Sequence, residues 1–407
     1  MAFSVSAWLT LASITKLSSP GTLGEFALAV AVVVPIFTLS LLHLSTLQAT
    51  DVQRKYAFAD YLALRIWSTV AACVLAGGLA WHYWPDHERS LAIVAVSAGL
   101  AARNLSDVCY GAFRRKERLD LVGRSMVLRA VGGLAALTVV LYATRDLIAA
   151  LVANAAAAWI VATVVDLPGV RALLQDEGPM RGSSPARPRW STWRSLSIAI
   201  IALPVGLVMM LSDLHVTVPR LIIESLVGTR GLGIFVAVAA VAGLGGTLAR
   251  AGSQAVEPRL ASLYRQGDFE AMRTLLGRLL RMALLLGVVG VGVALAVGEP
   301  ILRLVYGEEH ARYGGLLVLF AIGSGVTYVL SLHAGSLTAI RRFKEQAVLR
   351  SIQLMVLIAV CAPLTSRYGL LGTAWALLLS ESLSLVLHRQ TWLWYLHRAR
   401  EARPKPE

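Results

Sequence analysis

The sequence predicts an all-α, polytopic membrane protein with about twelve transmembrane helices in two six-helix halves. Three observations carry that expectation. Apolar residues make up 57% of the chain and charged residues only 15%, too few to clothe a soluble protein of 407 residues. The apolar residues come in unbroken blocks, each near the length needed to cross about 30 Å of hydrocarbon. A soluble core would offer amphipathic stripes instead. The third observation is the placement of cations, which alternates from loop to loop in the way that sets membrane orientation.

Spans are expected at 3–18, 23–46, 62–84, 90–113, 121–143, 146–166, 196–226, 230–252, 279–298, 314–337, 348–365 and 369–389. Residues 1–19 have no basic segment ahead of their apolar stretch, and Lys16 follows it, so they read as a short first helix rather than a signal peptide. Glycine and proline inside later spans are tolerable because neighbouring helices re-satisfy the backbone in lipid.

With the N-terminus in the cytoplasm, the cytoplasmic segments hold twenty-seven Lys and Arg residues and the outside segments eight. Arg54, Lys55 and Arg65 are assigned to the first inner loop, Arg114, Arg115, Lys116 and Arg118 to the second, and Arg171, Arg181, Arg187, Arg189 and Arg194 to the third. Arg341, Arg342, Lys344 and Arg350 follow in the fifth, and Arg389, Arg398, Arg400, Arg403 and Lys405 at the C-terminus. Miscounting by one helix would invert the pattern from that point on, so the bias supports both the count and the orientation. It also accounts for the net charge of +14 without a nucleic-acid partner.

The long polar segment 167–195 reads as a cytoplasmic linker between an N-terminal lobe, 1–166, and a C-terminal lobe, 196–389, with a basic cytoplasmic tail at 390–407. The lobes echo each other. Leu23-Gly24-Glu25-Phe26-Ala27 enters the second span and Leu232-Gly233-Ile234-Phe235-Val236 the eighth. Ala112-Phe113-Arg114-Arg115 closes the fourth and Ala339-Ile340-Arg341-Arg342 the tenth. Six helices apart, the halves have the same orientation, which makes the repeat parallel. Such repeats are common in secondary transporters.

Several motifs resemble the oligosaccharide and polysaccharide flippases of the MOP superfamily, often called Wzx-type, whose relatives include MATE exporters and the lipid II flippase. The family opens with a cation, a Gly-Pro turn and a Gly-aromatic step, similar to Lys16-Leu17-Ser18-Ser19-Pro20-Gly21-Thr22-Leu23-Gly24-Glu25-Phe26 here. Its second half has a counterpart in Pro219-Arg220-Leu221 followed by Gly231-Leu232-Gly233-Ile234-Phe235, with Pro219 standing where an acidic residue is usual. Glu257-Pro258-Arg259-Leu260 and Glu299-Pro300-Ile301-Leu302-Arg303 resemble the loops after its eighth and ninth helices.

The resemblance implies a MATE-like fold in the bacterial cytoplasmic (inner) membrane, with both termini cytoplasmic. It implies transport of a lipid-linked, undecaprenyl-pyrophosphate oligosaccharide by alternating access for surface polysaccharide such as lipopolysaccharide. Membrane lipids, a polysaccharide polymerase and glycosyltransferases are the implied partners. No cofactor is expected beyond a coupling ion, H⁺ or Na⁺. A MATE-like exporter of small cations is the alternative within transporters, and a membrane glycosyltransferase or polymer ligase the alternative among enzymes. Catalytic or metal-binding residues are not expected: no GxSxG, P-loop or HExxH occurs, and the external loops are short.

Within that frame a diphosphate head group calls for guanidinium, whose planar fork donates paired hydrogen bonds to phosphate. A cation inside a span by default faces the bundle interior or water. Arg103 and Arg129 meet this condition, and Arg220 and Lys16 close the seventh and first spans, which the resemblance places around the cavity. Arg103 equally fits an internal ion pair with Asp107 at i+4, and Arg220 and Lys16 fit interfacial anchors. Asp213 and Glu381 lie mid-span and are candidates for ion coupling or for hydrogen bonds between helices. The arginines together imply an excess of positive charge in the cavity.

The charge bias makes a direct prediction. Reporter fusions after Arg118, Arg194, Gly267 and Arg400 should report cytoplasm, and fusions after Asp86, Asp146, Thr229 and Tyr368 should report the outside. One inverted pair among the eight breaks the twelve-span arrangement.

Overall fold

A computed structural model of the chain describes residues 2–50, 56–84, 87–175 and 190–401. These are helical almost throughout, and no strand occurs among them. The loop and tail cations Arg54, Lys55, Arg181, Arg187, Arg189, Arg403 and Lys405 lie outside the described residues.

The short helix α1 (Ala2–Leu17) ends at Lys16. Helix α2 (Pro20–Leu41) starts where Ser19 accepts the Thr22 amide at 3.2 Å and Pro20 takes the first helical position. A turn at Leu42 leads into α3 (Leu44–Thr50), so the second expected span is a broken rod. Helix α4 (Phe58–Tyr83) is started by the Asp60 carboxylate, which accepts the Ala57 amide at 3.0 Å. Helices α5 (His87–Arg115) and α6 (Leu119–Thr144) follow. Helix α7 (Leu147–Ile160) is capped by Asp146 on the Ile148 amide at 2.8 Å. It widens into a π-helical turn over 161–166 and resumes as α8 (Leu167–Gln175). Helix α9 (Thr192–Val227) completes the seventh expected span.

Beyond it lie α10 (Thr229–Ala242), α11 (Leu244–Gln266), α12 (Phe269–Tyr306), the single turn α13 (Glu308–Ala311), α14 (Gly314–Ala339) and α15 (Phe343–Glu401). The last is two helices joined at Gly369, whose φ of 58° and ψ of −137° suit glycine. The eleventh and twelfth expected spans lie on either side of that residue.

All twelve expected spans therefore fall on helix. Nine helical segments among the described residues are long and apolar enough to cross a membrane, and the one at 344–398 holds two expected spans. Only 11% of the apolar stretch of α12 is buried, so most of its Leu and Val side chains present a surface suited to lipid.

Three boundaries differ from expectation. The segment 167–195 is helical at both ends, because Val170 and Leu174 of α8 bury against Phe113 and its neighbours. The eighth span breaks at Gly243 and runs on to Gln266. Helix α15 continues past 389 because Trp392 and Leu396 are buried in a cluster with Leu260, Leu263 and Leu276.

Two compact units divide the chain, Met1–Arg220 and Leu221–Glu407. In the first, α5 is central and packs on α2, α3, α4 and α7, while α1 packs on α6. In the second, α14 is central, between α12, α11 and α15. There α12 and α14 approach through Gly287 and Gly325. A Cβ added at Gly287 would lie 3.0 Å from the Gly325 Cα, closer than a side chain tolerates.

Candidate functional site in the first unit

On α5, residues 103, 107 and 110 follow the i, i+4, i+7 spacing of one helix face. This face puts Arg103, Asp107 and Tyr110 inside an otherwise apolar block. Two polar networks grow from it.

The first is the more nearly closed, although the Nε of Arg65 at its centre is buried without an acceptor. Arg65 of α4 is 1% exposed, and its Nη2 lies 2.7 Å from Asp107 Oδ2. Its Nη1 donates to the Ser40 carbonyl at 3.1 Å. Asn104 Nδ2 donates to the Ser40 hydroxyl at 2.7 Å. Ser40 sits in the last turn of α2, where carbonyls lack helical partners, so one guanidinium ties three helices together. This corrects one expectation. Arg65 is not a loop cation, because α4 begins two turns earlier, at Phe58. Asp107 is held by Arg65, and Arg103 is also within its electrostatic reach.

The second network is open. Arg129 of α6 donates from Nη2 to the Tyr110 hydroxyl at 2.7 Å, with its guanidinium carbon 5.6 Å from the ring centroid. Tyr110 and Ser125 share a hydrogen bond of 2.7 Å. The Nε and Nη1 donors of Arg129 are buried with no acceptor. Asp166, at the end of the π-helical turn, is fully buried. The hydroxyls of Ser106 and Ser125 lie beside its carboxylate, yet neither oxygen makes a hydrogen bond of good geometry. Arg129 lies within electrostatic reach of Asp166 and of Arg103.

Arg103 is exposed although it sits in the middle of α5. Asp213 of α9 is also within its reach. The structure thus brings together Arg103, Arg129 and Asp213 from the expected residues and adds Arg65, Asp107 and Asp166. Three arginines face three carboxylates, so this cluster is formally neutral. The expected excess of positive charge is absent from it, because Arg65 spends its charge on Asp107 and two further carboxylates adjoin the cluster. Lys16, exposed in the last turn of α1, and Arg220, half-buried in α9 one turn before Glu224, do not join this cluster among the described residues.

Glu381 belongs to the second unit. Half-buried in α15, it accepts a hydrogen bond from Thr327 of α14 at 2.8 Å and lies within reach of Arg350. Arg350, expected in a loop, lies inside α15 and donates to Gln353 at 3.0 Å. His388 is fully buried nearby, with Nδ1 on the Ser384 carbonyl at 2.8 Å and Nε2 unpartnered. No group of three or more His, Cys, Asp or Glu is placed to hold a metal ion among the described residues.

Sequence reasoning missed Arg65, Asp166, Arg350 and His388. The first three stand within a few residues of an apolar block's edge, where boundaries are least legible.

Many helices of spanning length and composition, in two units with charged residues paired inside the helices, make a polytopic membrane protein. Solved structures show which fold it has. Over 100% of its length the chain matches 93% of the lipid II flippase MurJ in an inward closed conformation, with a TM-score of 0.74 and 11% identity. It matches an inward-facing multidrug resistance MATE family transporter of the MOP superfamily at a TM-score of 0.66 and 14% identity, covering 99% of this chain and 94% of that one. The fold is therefore that of the MATE and MurJ transporters, as the motifs imply. The capsular polysaccharide biosynthesis protein CapF of Staphylococcus aureus is 23% identical over 381 residues, 93% of each chain. No family model matches.

The Arg65–Asp107 pair gives a stability prediction. Arg65→Ala strands a carboxylate in the helix interior and should cost about 3–5 kcal/mol, while Arg65→Met with Asp107→Leu should recover most of it. Thermal unfolding of the purified protein in detergent reads both. A double variant no more stable than the single one means that the pair holds α2, α4 and α5 by more than charge.

Proposed function

We propose that this protein flips an undecaprenyl-diphosphate-linked oligosaccharide across the bacterial cytoplasmic membrane by alternating access, with both termini in the cytoplasm, and that it is a transporter rather than an enzyme. The observation that carries this reading is Arg129, with two buried donors lacking acceptors beside the exposed Arg103. Buried donors without partners cost free energy, and a phosphate oxygen is the acceptor that a guanidinium fork fits best. The names of two relatives agree with it, one a lipid II flippase and the other a capsular polysaccharide biosynthesis protein.

In this reading Arg103 and Arg129 grip the diphosphate, and Arg220 and Lys16 are further stations along its path. The prenyl tail stays in lipid. The polymerase and glycosyltransferases of polysaccharide assembly act on the same substrate before and after. Asp213 and Glu381 couple transport to H⁺ or Na⁺. Asp213 is near enough to Arg103 to sense whether that residue is engaged. Glu381 has a neutral hydroxyl donor and a guanidinium at hand, a setting in which cation binding alters the local charge balance.

Two measurements test this. In a strain lacking its own flippase, Arg103→Lys and Arg129→Lys should lower surface polysaccharide and raise lipid-linked oligosaccharide on the inner leaflet, with normal membrane insertion. Lysine keeps the charge but loses the paired fork, and alanine should be worse. Full export by lysine and alanine variants alike removes the head-group role. Asp213→Asn and Glu381→Gln, which keep size and hydrogen bonding, should flatten the dependence of flipping on pH or Na⁺. Unchanged ion dependence in both leaves these carboxylates a packing role only.

A further inference from the structure

The cluster around Arg129 contains a carboxylate that the head-group reading does not use. Asp166 is fully buried at the end of a π-helical turn. Such a turn widens the helix by one residue and rotates the residues C-terminal to it, and π-turns occur often at functional sites. This one packs against α5 and α6. Among the described residues, the ionisable groups related to Asp166 are Arg129 from α6 and Tyr110 and Cys109 from α5, with Asp107 also beside Cys109. Asp107 is occupied by Arg65, and Arg65 is occupied by Asp107 and Ser40. Arg129 is thus the cation at hand for Asp166.

Neither is satisfied as it stands. Asp166 has two oxygens without a well-formed hydrogen bond, and Arg129 has two donors without an acceptor. Ser125 links the two sites. It lies one turn before Arg129 on α6, bonds the Tyr110 hydroxyl that now holds Arg129, and places its own hydroxyl beside Asp166. The Arg129 side chain is long and flexible enough to exchange one partner for the other by rotation about its stem.

We infer that Asp166 is an internal competitor for Arg129: its carboxylate and an anionic phosphate ligand take the guanidinium in turn. The formal neutrality of the cluster supports this, since an anion can be held there only when a carboxylate gives up its cation. The exchange limits how tightly the ligand binds and gives Arg129 a partner when the ligand leaves. A transporter needs both, because a head group gripped without competition is not released. Asp166 touches no ligand in this scheme and acts as a positioning residue through Arg129. The inference rests on the reading of Arg129 as a phosphate contact.

The test uses the purified full-length chain in detergent and farnesyl diphosphate as the probe. Its affinity is measured for the wild type, Asp166→Asn, Asp166→Glu, Arg129→Gln and the double variant Asp166→Asn with Arg129→Gln. Asp166→Asn is expected to bind about ten-fold more tightly, a difference of about 1.4 kcal/mol, and to flip more slowly in cells. Asp166→Glu, which keeps the competing charge, should stay near the wild type. In the Arg129→Gln background Asp166→Asn should change nothing. A merely structural Asp166 gives weaker or unchanged binding and a lower melting temperature. Equal or weaker binding by Asp166→Asn, with Arg129→Gln still weakening the complex, overturns the competitor role and leaves the head-group reading intact. Unchanged binding in Arg129→Gln removes the head-group reading itself. Binding by Asp166→Asn where the wild type shows none supports the competitor role, and binding by neither overturns it.

Discussion

A charge inside a hydrocarbon layer needs a partner or water, and the arrangement of the first unit follows from that requirement. Arg65 is the strictest case. It is deeply buried, and its ion pair with Asp107 and its hydrogen bond to the Ser40 carbonyl set the spacing of α2, α4 and α5. Those three helices then hold the Arg103, Asp107 and Tyr110 face of α5 in one orientation. The Arg129 and Asp166 network is built on that face.

Depth alone does not separate a structural arginine from a functional one, and the two differ in how far their donors are matched. Arg65 lies deeper than Arg129; both of its Nη groups are bonded, to Asp107 and Ser40, and its Nε is buried without an acceptor. Arg129 has one bonded Nη, with its Nε and other Nη buried without acceptors. Burying unmatched polar groups costs free energy, so on the proposed reading the larger shortfall at Arg129 is what a phosphate ligand would fill, and the unmatched oxygens of Asp166 are its counterpart of opposite sign.

Much of the fold was legible in the sequence because apolar blocks of spanning length have few other ways to fold. The break in α15 was legible too: the polar run Thr365-Ser366-Arg367-Tyr368-Gly369 interrupts two apolar blocks, and Gly369 supplies the backbone conformation. The internal echo points to matching local roles. Leu23 and Leu232, which head the paired motifs, are both fully buried, and the other paired motif closes α5 in one unit and α14 in the other. Partners were less legible. Asp107 fits Arg103 by its i+4 spacing, while a partner that spacing cannot report, Arg65, comes from forty-two residues away. Asp213 meets Arg103 across more than a hundred residues, which no local pattern reports. Arg65 and Arg350 were misplaced because a cation near the edge of an apolar block looks like a loop residue until the helix is seen to extend around it, and Asp166, at the very end of the sixth expected span, was given no role.

The balance of charge bears on the choice among transported molecules. A site for small cations needs carboxylates that stay unpaired, and a site for anions needs guanidinium groups that stay unpaired. Counting arginines in the sequence favours the anion, yet the carboxylates gathered from distant segments cancel that excess within the cluster. What still separates the two cases is accessibility. The exposed charge at the middle of α5 is Arg103, whereas Asp166 is fully buried and Asp107 is held by Arg65. On the proposed reading, a ligand that reaches this face from water would meet the Arg103 guanidinium with Asp213 as a flanking charge, and an accessible cation beside enclosed carboxylates favours an anion over a cation. Selectivity would then rest on which charges are accessible rather than on their sum.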